Sequence, residues 1–431
     1  MALSLTQRDR NVIWHPYTPQ KYRPDPIPIV KGEGIFLIGE DGSRYIDAIS
    51  SWWVTIHGHG HPYIAERIYA QAMQLEQVIF AGFTHEPAVS LAEQLLELLP
   101  GNFSRVFYSD NGSTATEVAI KMALQYWWNR EETQRTRIIA LTHSYHGDTF
   151  GAMSVSERGI FTLAYQERLF EVLFLETPVK GQPLVFQSYD ASETPTLLAE
   201  AACLIYEPLL QGAGGMKMYP AEALDQLIVQ CHRAGVICIA DEVMTGFGRT
   251  GTWFSSSQVE EKPDIICLSK GLTGGTIARG VTACTSEIYD AFVNEDKLKS
   301  FFHGHSFTAN PIACTAALAS LELLLEPATS EQIQSIVELH RKFIEELKER
   351  HPDLTANHRQ TGTIVAFEVT DTVSGYNSGI REVFTEKALK KGVYLRPLGN
   401  TVYIMPPYCI SPLELQQVYS TIFDILEEIR S

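Results

Sequence analysis

The sequence predicts an α/β protein with a large domain on a mainly parallel sheet and a smaller domain of α+β type. From about residue 88, short apolar runs alternate with helical patterns, as expected of parallel strands covered by helices on both faces. Roughly the last hundred residues change character and combine long charged helices with short strands such as GTIVAFEV and TVYIMP. A chain of 431 residues is long enough for about two or three structural units, each with its own core.

The predicted elements begin with a hairpin in GIFLIGEDGSRYIDAI, where Asp41 and Gly42 form the turn. A helix over about 114–128 follows the first strand of the sheet, and another over about 311–325 ends the large domain. We predict a large domain over residues 61–320 and a C-terminal small domain over residues 321–431. The N-terminal segment, residues 1–60, is predicted to form part of the small domain. The predicted sheet strands are RVFYS (105–109), RIIAL (137–141), CLIYE (203–207), VICIAD (236–241) and DIICL (264–268).

Composition and charge exclude several classes of partner. The chain is 45% hydrophobic and 20% charged, and its formal net charge is −17. An acidic chain without basic blocks is not expected to bind nucleic acid or anionic membranes. Its cysteines, none in Cys-x-x-Cys spacing, are typical of buried thiols in a reducing compartment. Because we find no signal-peptide pattern and no apolar run of ~18 residues, we expect a soluble cytoplasmic protein.

The segment DIICLSKGLTGG places Lys270 directly after an apolar strand and beside three glycines. A lysine in this position is usually a solvated strand end, and the glycines usually form a turn. Alternatively, low-dielectric walls keep the lysine partly deprotonated, so that it can act as an amine nucleophile toward carbonyls. In that case the glycines leave room for a bulky ligand. The segment alone leaves both interpretations open.

A second candidate lies at the end of the first sheet strand, since open parallel sheets bind ligands beyond the carboxyl ends of their strands. In SDNGSTATEVAIK, a turn at Asn111, Gly112 and Ser113 leads into a helix. Thr114 and Glu117 predict a capping box at the start of that helix. Free N–H groups at a helix start can bind an anion such as phosphate, although an ordinary capped helix has the same pattern.

Asp241 lies at the end of the apolar strand VICIAD, where an acid is costly to bury unless it meets a cation or a strong donor. A protonated pyridine nitrogen would meet this need. The nearby GFGRTG (246–251) matches G-x-G-x-x-G, but no helix pattern follows it, so we predict no dinucleotide site there. The histidines of HGHGHP lack a nearby cysteine or acid, so we predict no metal site. The absence of a G-x-S-x-G motif argues against a serine hydrolase.

A lysine for a carbonyl, an acid for a pyridinium and a phosphate-binding helix start together predict a pyridoxal phosphate site. DEVMTGFGRTG followed by PDIICLSKGLTGG resembles the class III aminotransferases of the aspartate aminotransferase fold (fold type I). The resemblance extends over essentially the whole chain. It implies a fold type I pyridoxal phosphate-dependent transferase that works as a homodimer, with its active sites at the subunit interface.

The resemblance narrows to one subfamily that acts in biotin biosynthesis. Its members convert 7-keto-8-aminopelargonate (8-amino-7-oxononanoate) to 7,8-diaminopelargonate by a ping-pong mechanism, usually with S-adenosylmethionine and in some relatives with lysine as amino donor. Three alternatives stay open: another class III ω-aminotransferase acting on ω-amino acids or diamines, a cofactor-binding regulator without catalysis, and an NAD oxidoreductase. The segments that carry the narrower resemblance are IWHPYT, SSWWVTIHGHGHP, YHGDTFGAMSV, QGAGGMKMY and RPLGNTVYIMPPY.

The resemblance implies roles for the residues around the cofactor. Lys270 resembles the lysine that binds the cofactor covalently and carries a proton between substrate and cofactor. Asp241 resembles the acid that pairs with the ring nitrogen and keeps it protonated. The other implied cofactor contacts are Gly112 and Ser113 to the phosphate, Tyr145 and Val243 on opposite ring faces, and Ser306 to the phosphate in the partner subunit.

On the substrate side, the resemblance implies an aromatic wall and a carboxylate anchor. Trp52 and Trp53 would cover the acceptor's methylenes at ~0.8 kcal/mol each, and Arg396 would hold its carboxylate. On the residues alone, the tryptophans fit an ordinary core and Arg396 a surface ion pair. His305 and Ser306 in GHSFTANP, and TIARGVT (276–282), depart from the commonest family pattern and leave phosphate contact and donor recognition open. The implied substrate-binding residues are Tyr17, Trp52, Trp53, Tyr145, Lys270, Gly304 and Arg396.

Overall fold

The computed structural model describes residues 3–21, 24–370 and 379–430. Its helices are α1 (Leu5–Val12), α2 (Ser50–Trp53), α3 (Pro62–Gln74), α4 (Glu86–Leu98), α5 (Gly112–Asn129), α6 (Phe150–Ser154), α7 (Thr194–Glu200), α8 (Ala221–Arg233), α9 (Ser286–Asp290), α10 (Pro311–Leu324), α11 (Pro327–Arg350), α12 (Ile380–Lys390) and α13 (Pro412–Arg430). Its strands are β1 (Ile29–Glu33), β2 (Phe36–Gly39), β3 (Arg44–Asp47), β4 (Phe103–Ser109), β5 (Arg137–Leu141), β6 (Leu173–Leu175), β7 (Ala201–Tyr206), β8 (Leu210–Gln211), β9 (Lys217–Met218), β10 (Ile237–Asp241), β11 (Ile265–Leu268), β12 (Gly280–Thr285), β13 (Thr355–Thr361), β14 (Ile364–Val369), β15 (Val393–Tyr394) and β16 (Thr401–Ile404).

Seven strands form the central sheet of the described chain, in the order β4-β12-β11-β10-β7-β5-β6. β10 is parallel to β7 and β11, and β5 is parallel to β6 and β7. β12 runs antiparallel to both of its neighbours, β11 and β4. The predicted α/β class with a mainly parallel sheet is confirmed. The sequence-based prediction missed β12 because its run GVTACT is rich in small and hydroxyl-bearing residues.

Both faces of this sheet are covered, which explains why its strands are apolar on both sides. Ile237 and Ile239 of β10 pack in the cluster that includes the apolar side of α5. Their neighbours Cys238 and Ala240 point to the other face and pack in the cluster that includes α8. All five residues of β10 are buried, including Asp241 at its end. β10 therefore places the Asp241 carboxylate at the carboxyl edge of the sheet.

The N-terminal segment pairs with the C-terminal part of the chain. β1, β2 and β3 form an antiparallel meander, and β15 adds to β3 in parallel. The predicted hairpin of β2 and β3 forms with Gly42 in a left-handed turn at φ +85°. A separate sheet contains β13, β14 and β16. This pairing fits the predicted small domain, although the boundaries near 60 and 320 remain predictions.

The start of α5 differs from the prediction. The predicted capping box of Thr114 and Glu117 is wrong, because the helix begins two residues earlier and Asn111 is its N-cap. The Asn111 side chain accepts the N–H of Thr114, and the Thr114 hydroxyl accepts the N–H of Asn111, each at 3.0 Å. The carboxylate of Glu117 instead accepts the N–H of Gly151 at 2.8 Å, which ties α6 to α5.

Two predictions from composition can be compared with the structure. Six of the described cysteines are buried as predicted, but the prediction is wrong for Cys409, which is exposed in the loop before α13. No single helix in the described ranges is long and apolar enough to span a membrane. α10 and α11 satisfy these criteria only when joined, and a bend of 69° separates them.

Gly251, the last glycine of GFGRTG, lies in close backbone contact with Gly362 from the C-terminal part of the chain. Gly362, in the turn between β13 and β14, has a φ of +51°, and a Cβ built there would lie 2.2 Å from the amide nitrogen of Gly251. The next residue, Thr363, donates its N–H to the carbonyl oxygen of Arg249 at 3.0 Å. These glycines therefore allow the C-terminal hairpin to pack against the loop 246–251.

We expect Gly362→Ala to destabilise the protein more than Gly181→Ala. Both glycines have positive φ, so each alanine adds about 1 kcal/mol or more of backbone strain. A Cβ at Gly181 meets nothing within 4 Å, whereas a Cβ at Gly362 overlaps backbone atoms of the loop. Overpacking against a rigid backbone adds about 1–3 kcal/mol. Thermal unfolding of the two purified variants measures the difference, and equal shifts in Tm would contradict the close contact.

Candidate active site

The carboxyl edge of the central sheet carries a cavity of about 390 Å³. Strand ends and the helix start of α5 meet there because parallel strands present their carboxyl ends on one side. All six cofactor-contact residues predicted within one subunit line this cavity: Gly112, Ser113, Tyr145, Asp241, Val243 and Lys270. Sequence reasoning assigned no role to four further lining residues: Asn111, His146, Glu207 and Arg279.

Lys270 follows β11 after a single extended residue and adopts a left-handed backbone, with φ at +48°. Its Nζ atom lies 4.6 Å from the ring centroid of Trp53. Burial lowers the pKa of Lys270 from 10.5 to about 8, while the negative charges of Asp241 and Glu207 act in the opposite direction. A substantial fraction of the amine is therefore neutral near physiological pH and can act as a nucleophile or base.

The glycines after Lys270 have a different role from the one predicted. A Cβ at Gly271 would lie 3.2 Å from Cβ of Phe247, and a Cβ at Gly275 would lie 2.9 Å from the side chain of Thr55. The space beside these glycines is thus filled largely by protein atoms. They allow the turn that carries Lys270 to pack closely against its neighbours, although Gly275 also lines the cavity.

Asp241 is buried, and its carboxylate is held from two directions. Oδ1 accepts the N–H of Val243 at 3.0 Å, and Oδ2 lies 2.6 Å from Nδ1 of His146. His146 is buried, and its Nε2 has no hydrogen-bond partner among the described residues. A buried carboxylate at a cavity wall is a strong partner for a protonated ring nitrogen. The sequence pointed to Asp241 but gave no reason to pair it with His146, since the two come from different strand ends.

The start of α5 fits a phosphate group. The first N–H groups of a helix have no partner within the helix, and the helix dipole favours an anion at this end. A Cβ at Gly112 would lie 2.7 Å from Cγ1 of Val243, so only glycine leaves this approach open. The Ser113 hydroxyl accepts the N–H of Asp148 at 3.2 Å. A Cβ at Gly147 would lie 2.1 Å from this hydroxyl oxygen, so a side chain at position 147 would collide with Ser113. These observations fit pyridoxal phosphate between α5, Asp241 and Lys270.

Glu207 is a buried residue of this site, which the sequence placed at the end of the predicted strand 203–207 without a specific role. Its two carboxylate oxygens accept the N–H of Tyr145 at 3.1 Å and the N–H of Gly212 at 2.9 Å. Burial raises the pKa of Glu207 from 4.5 to about 7, partly offset by the nearby His146. The carboxylate fixes the backbone that carries the Tyr145 ring. Its position directly after an apolar strand was the available signal.

A second cavity of about 330 Å³ adjoins the first and shares Trp53, Val54, Tyr145 and Lys270 with it. Trp53 is buried and donates its indole N–H to the Tyr403 hydroxyl at 3.0 Å. The guanidinium carbon of Arg396 lies 5.0 Å from the ring centroid of Trp52. The predicted substrate residues that line this cavity are Tyr17, Trp52, Trp53, Tyr145, Lys270 and Arg396.

Tyr17 links the walls of the two cavities. Its ring packs edge to face against Trp52, with the centroids 5.4 Å apart. Its hydroxyl donates to the Asp148 carboxylate and lies 3.4 Å from the Tyr145 hydroxyl. A residue near the N-terminus thus reaches a loop of the central sheet.

Over residues 17–426 the sequence matches the aminotransferase class-III family. The chain belongs to the class III aminotransferases. A relative from Synechococcus elongatus, named adenosylmethionine-8-amino-7-oxononanoate aminotransferase, is 48% identical over 423 residues, which cover 97% of this chain and 99% of the relative. A Geobacter sulfurreducens relative of the same name is 37% identical, covering 96% of this chain and 95% of its own.

Solved structures agree with this family. The crystal structure of adenosylmethionine-8-amino-7-oxononanoate aminotransferase from Methanocaldococcus jannaschii matches with a TM-score of 0.90 at 36% identity, over 98% of each chain. An amine transaminase from an uncultivated Pseudomonas species, in its PLP-bound form, matches with a TM-score of 0.88 at 30% identity, over 97% of this chain and 98% of that one. The predicted fold type I class III aminotransferase and its pyridoxal phosphate cofactor are confirmed.

Two predicted residues of this class III aminotransferase lie away from both cavities. Gly304 and Ser306 are exposed and line neither cavity of the described chain. The carbonyl oxygen of Ser306 accepts a hydrogen bond from Gln77 at 2.6 Å, and His305 lies 3.3 Å from Asp110. Within one subunit, the segment from Gly304 therefore contributes nothing to the cavity walls.

Several described side chains of types that can bind metals form hydrogen bonds within the protein. His57 binds the carbonyl oxygen of Ser320 at 3.0 Å, while His59 pairs with Asp47 at 2.9 Å. His232, Cys238 and Asp264 form a separate cluster whose donor atoms lie within 4.8 Å of one another. Asp264 Oδ2 already accepts the N–H of Cys238 at 2.7 Å and lies 3.2 Å from His232. These bonds account for the cluster without an ion.

We expect Lys270 of the cofactor-free protein to react with an amine-acylating reagent with a pH midpoint of about 8. The pKa of Lys270 is lowered by burial, so the reactive neutral amine dominates above this pH. Lys390, whose side chain is 70% exposed, is labelled in the same samples as the internal control for reagent strength. Mass spectrometry of peptides after brief labelling measures both rates. A midpoint for Lys270 near the ordinary lysine value of 10.5 would contradict the buried amine.

Proposed function

We propose that this aminotransferase converts 8-amino-7-oxononanoate to 7,8-diaminononanoate, the transamination step of biotin biosynthesis, by a ping-pong mechanism. The observation that carries the proposal is the cavity of about 330 Å³ in which Lys270 and Arg396 share an aromatic lining. An elongated acid with a reactive ketone needs these three features: an amine, an apolar wall and a cation for the carboxylate. The names of the Synechococcus and Methanocaldococcus relatives support the same substrate.

Pyridoxal phosphate, when bound, supplies an electron-accepting ring that stabilises negative charge beside the carbon that loses a proton. We infer that Asp241 faces the protonated ring nitrogen, with His146 and the N–H of Val243 fixing its carboxylate. Gly112 and Ser113 at the start of α5 hold the phosphate. Bound in this way, the cofactor would share its cavity with Lys270.

Lys270 moves the proton in this proposal. A base of pKa about 8 is well matched to accept and return a proton near neutral pH. The indole of Trp53 lies 4.6 Å from Nζ and limits the directions in which the amine can move. Glu207 fixes the other side of the cavity, because its carboxylate accepts the backbone N–H of Tyr145.

The substrate side divides between burial and charge. The rings of Trp52 and Trp53 cover the methylenes of the acceptor at ~0.8 kcal/mol for each CH₂ removed from water. Arg396 binds the distal carboxylate in a charge-assisted pair worth about 1.5–3 kcal/mol. The packing of Arg396 over Trp52 holds the guanidinium at the end of the aromatic wall.

A second candidate function is an amine transaminase that acts on ω-amino acids or diamines. The Pseudomonas amine transaminase, with 30% identity and a TM-score of 0.88, favours this candidate. A diamine carries no carboxylate, so it gains nothing from Arg396. Selectivity for an acid therefore separates the proposed function from a diamine transaminase, whereas turnover of 8-amino-7-oxononanoate itself separates it from an ω-amino acid transaminase.

Purified protein with pyridoxal phosphate should form 7,8-diaminononanoate from 8-amino-7-oxononanoate, as measured by mass spectrometry. S-adenosylmethionine, lysine and simple diamines are supplied separately as amino donors, with S-adenosylmethionine expected to support the reaction. Lys270→Ala is the matched control and should form no product while retaining its fold by circular dichroism. Efficient turnover of a diamine with a simple keto acid, but not of 8-amino-7-oxononanoate, would instead favour the second candidate.

We also propose that the chain forms a homodimer in which Ser306 reaches the phosphate bound by the partner subunit. Ser306 and Gly304 are exposed and line neither cavity of their own subunit, and Phe302 and Phe307 beside them are 72% and 60% exposed. Large exposed apolar side chains in a short segment are typical of an interface. Substrate contact by Gly304 and residence in the cytoplasm remain predictions from the sequence.

Co-expression of Lys270→Ala with Ser306→Ala subunits tests this arrangement. If Ser306 acts across the interface, the hybrid dimer has one site with both changes and one fully wild-type site. The fully wild-type site is the one that can catalyse, and it should bind pyridoxal phosphate with wild-type affinity. The Ser306→Ala homodimer should bind it more weakly by about 0.5–3 kcal/mol, the range for one hydrogen bond to a charged group or its loss.

Reactivation of the cofactor-free hybrid with increasing pyridoxal phosphate measures the affinity of the active site. If Ser306 acted within its own subunit, the active site of the hybrid would contain Lys270 and the alanine together. Affinity equal to that of the Ser306→Ala homodimer would therefore contradict the proposal, as would a Ser306→Ala homodimer with unchanged affinity.

A further inference from the structure

We infer that Arg381 is a second carboxylate-binding residue, which acts with Arg396 to select acids over diamines. The inference deepens the proposed function, since it rests on the same substrate cavity and names the group that sets its specificity. Arg381 comes from α12, whereas Arg396 follows β15, so the two reach the cavity from different elements.

The charged residues that the structure describes in the lining of this cavity are all cationic. The charged side chains among its described lining residues are Lys270, Arg381 and Arg396, and no described aspartate or glutamate lines it. The remaining lining is mostly aromatic or aliphatic, so water screens these charges less than at an open surface. Such a field attracts a carboxylate and repels the distal ammonium of a diamine. Repulsion of the wrong substrate is an efficient source of specificity.

The fold fixes the two arginines relative to each other. The Thr385 hydroxyl, one turn after Arg381, donates a hydrogen bond to the carbonyl oxygen of Leu395 at 2.9 Å. Leu395 directly precedes Arg396 and is buried, as is Phe384 of α12. The helix and the strand end therefore hold their arginines at the same cavity as one unit.

Two guanidinium groups can share one carboxylate. An ionised carboxylate has two oxygens and about four acceptor positions, so a bidentate pair with Arg396 leaves acceptor capacity for Arg381. Arg381 is the second residue of α12, which begins at Ile380, and the positive end of the helix dipole adds to the attraction for an anion. The helix start supports Arg381 but is not itself the binding group.

Calorimetric titration of the holoenzyme with nonanoate and with nonanamide tests the inference without turnover. The two probes share their chain length and differ in the charged group. Wild-type protein should bind nonanoate more tightly. Arg381→Gln should weaken nonanoate binding by roughly tenfold and leave nonanamide binding unchanged, because one charge-assisted hydrogen bond is lost. Arg381→Lys should recover part of the loss, since it keeps the charge without the planar fork.

Lys390→Gln is the matched control, because it removes one positive charge from the exposed side of the same helix. It should leave the binding of both probes unchanged. Arg396→Gln should resemble Arg381→Gln, and the double variant should bind nonanoate no better than nonanamide. Retention of the cofactor's visible absorption shows that each variant is folded, and Arg381→Lys serves if Arg381→Gln fails this check.

Equal weakening of nonanoate and nonanamide by Arg381→Gln would overturn the inference, since it would indicate a role in cavity shape. Unchanged nonanoate binding would overturn it too, as would a wild-type protein without preference for nonanoate. The proposed function fails independently, by lack of product from 8-amino-7-oxononanoate. If that product is absent but the selective loss of nonanoate binding occurs, Arg381 binds the carboxylate of a different acid.

Discussion

The site depends on one electrostatic constraint: a lysine amine must be held in low-dielectric surroundings close to buried carboxylates. Burial lowers the pKa of Lys270 to about 8, and the charges of Asp241 and Glu207 limit that decrease. Each carboxylate is held by backbone N–H groups, and Asp241 also by His146. The buried strands β10, which ends in Asp241, and β7, which Glu207 directly follows, therefore influence how basic the amine is.

Backbone strain is concentrated where this constraint meets the substrate wall. Lys270 has a φ of +48°, and Ser50, Ser51 and Trp53 in the opposing segment also have positive φ. Each such residue costs about 1–3 kcal/mol and persists only where the surrounding structure over-determines its conformation. The Trp53 indole N–H is bound to Tyr403, and the Ser50 hydroxyl donates to the carbonyl oxygen of Met405 at 2.8 Å. Contacts from the C-terminal part of the chain thus hold Trp53 against the amine.

The two cavities divide the chemistry between the two parts of the molecule. The large sheet supplies the groups that fit the cofactor, whereas the N-terminal segment and the C-terminal elements supply most of the substrate wall. Lys270, Trp53 and Tyr145 are among the residues that line both cavities. Changes in the substrate wall can therefore alter the preferred acid or amine while the cofactor side stays intact. This separation agrees with the different substrates named for structural relatives of the same fold.

The sequence by itself determined five of the seven described sheet strands, because buried parallel strands require continuous apolar runs, and it located Asp241 and Lys270 at the strand ends. The family resemblance supplied the cofactor and the residues of the substrate wall. Tertiary structure decided what depends on distant parts of the chain: the antiparallel β12, the contact of His146 with Asp241, the hydrogen bonds of Glu207 and the presence of Arg381 and Arg396 at one cavity. Local patterns report burial and turns, but they contain no information on which strand ends and loops meet in space.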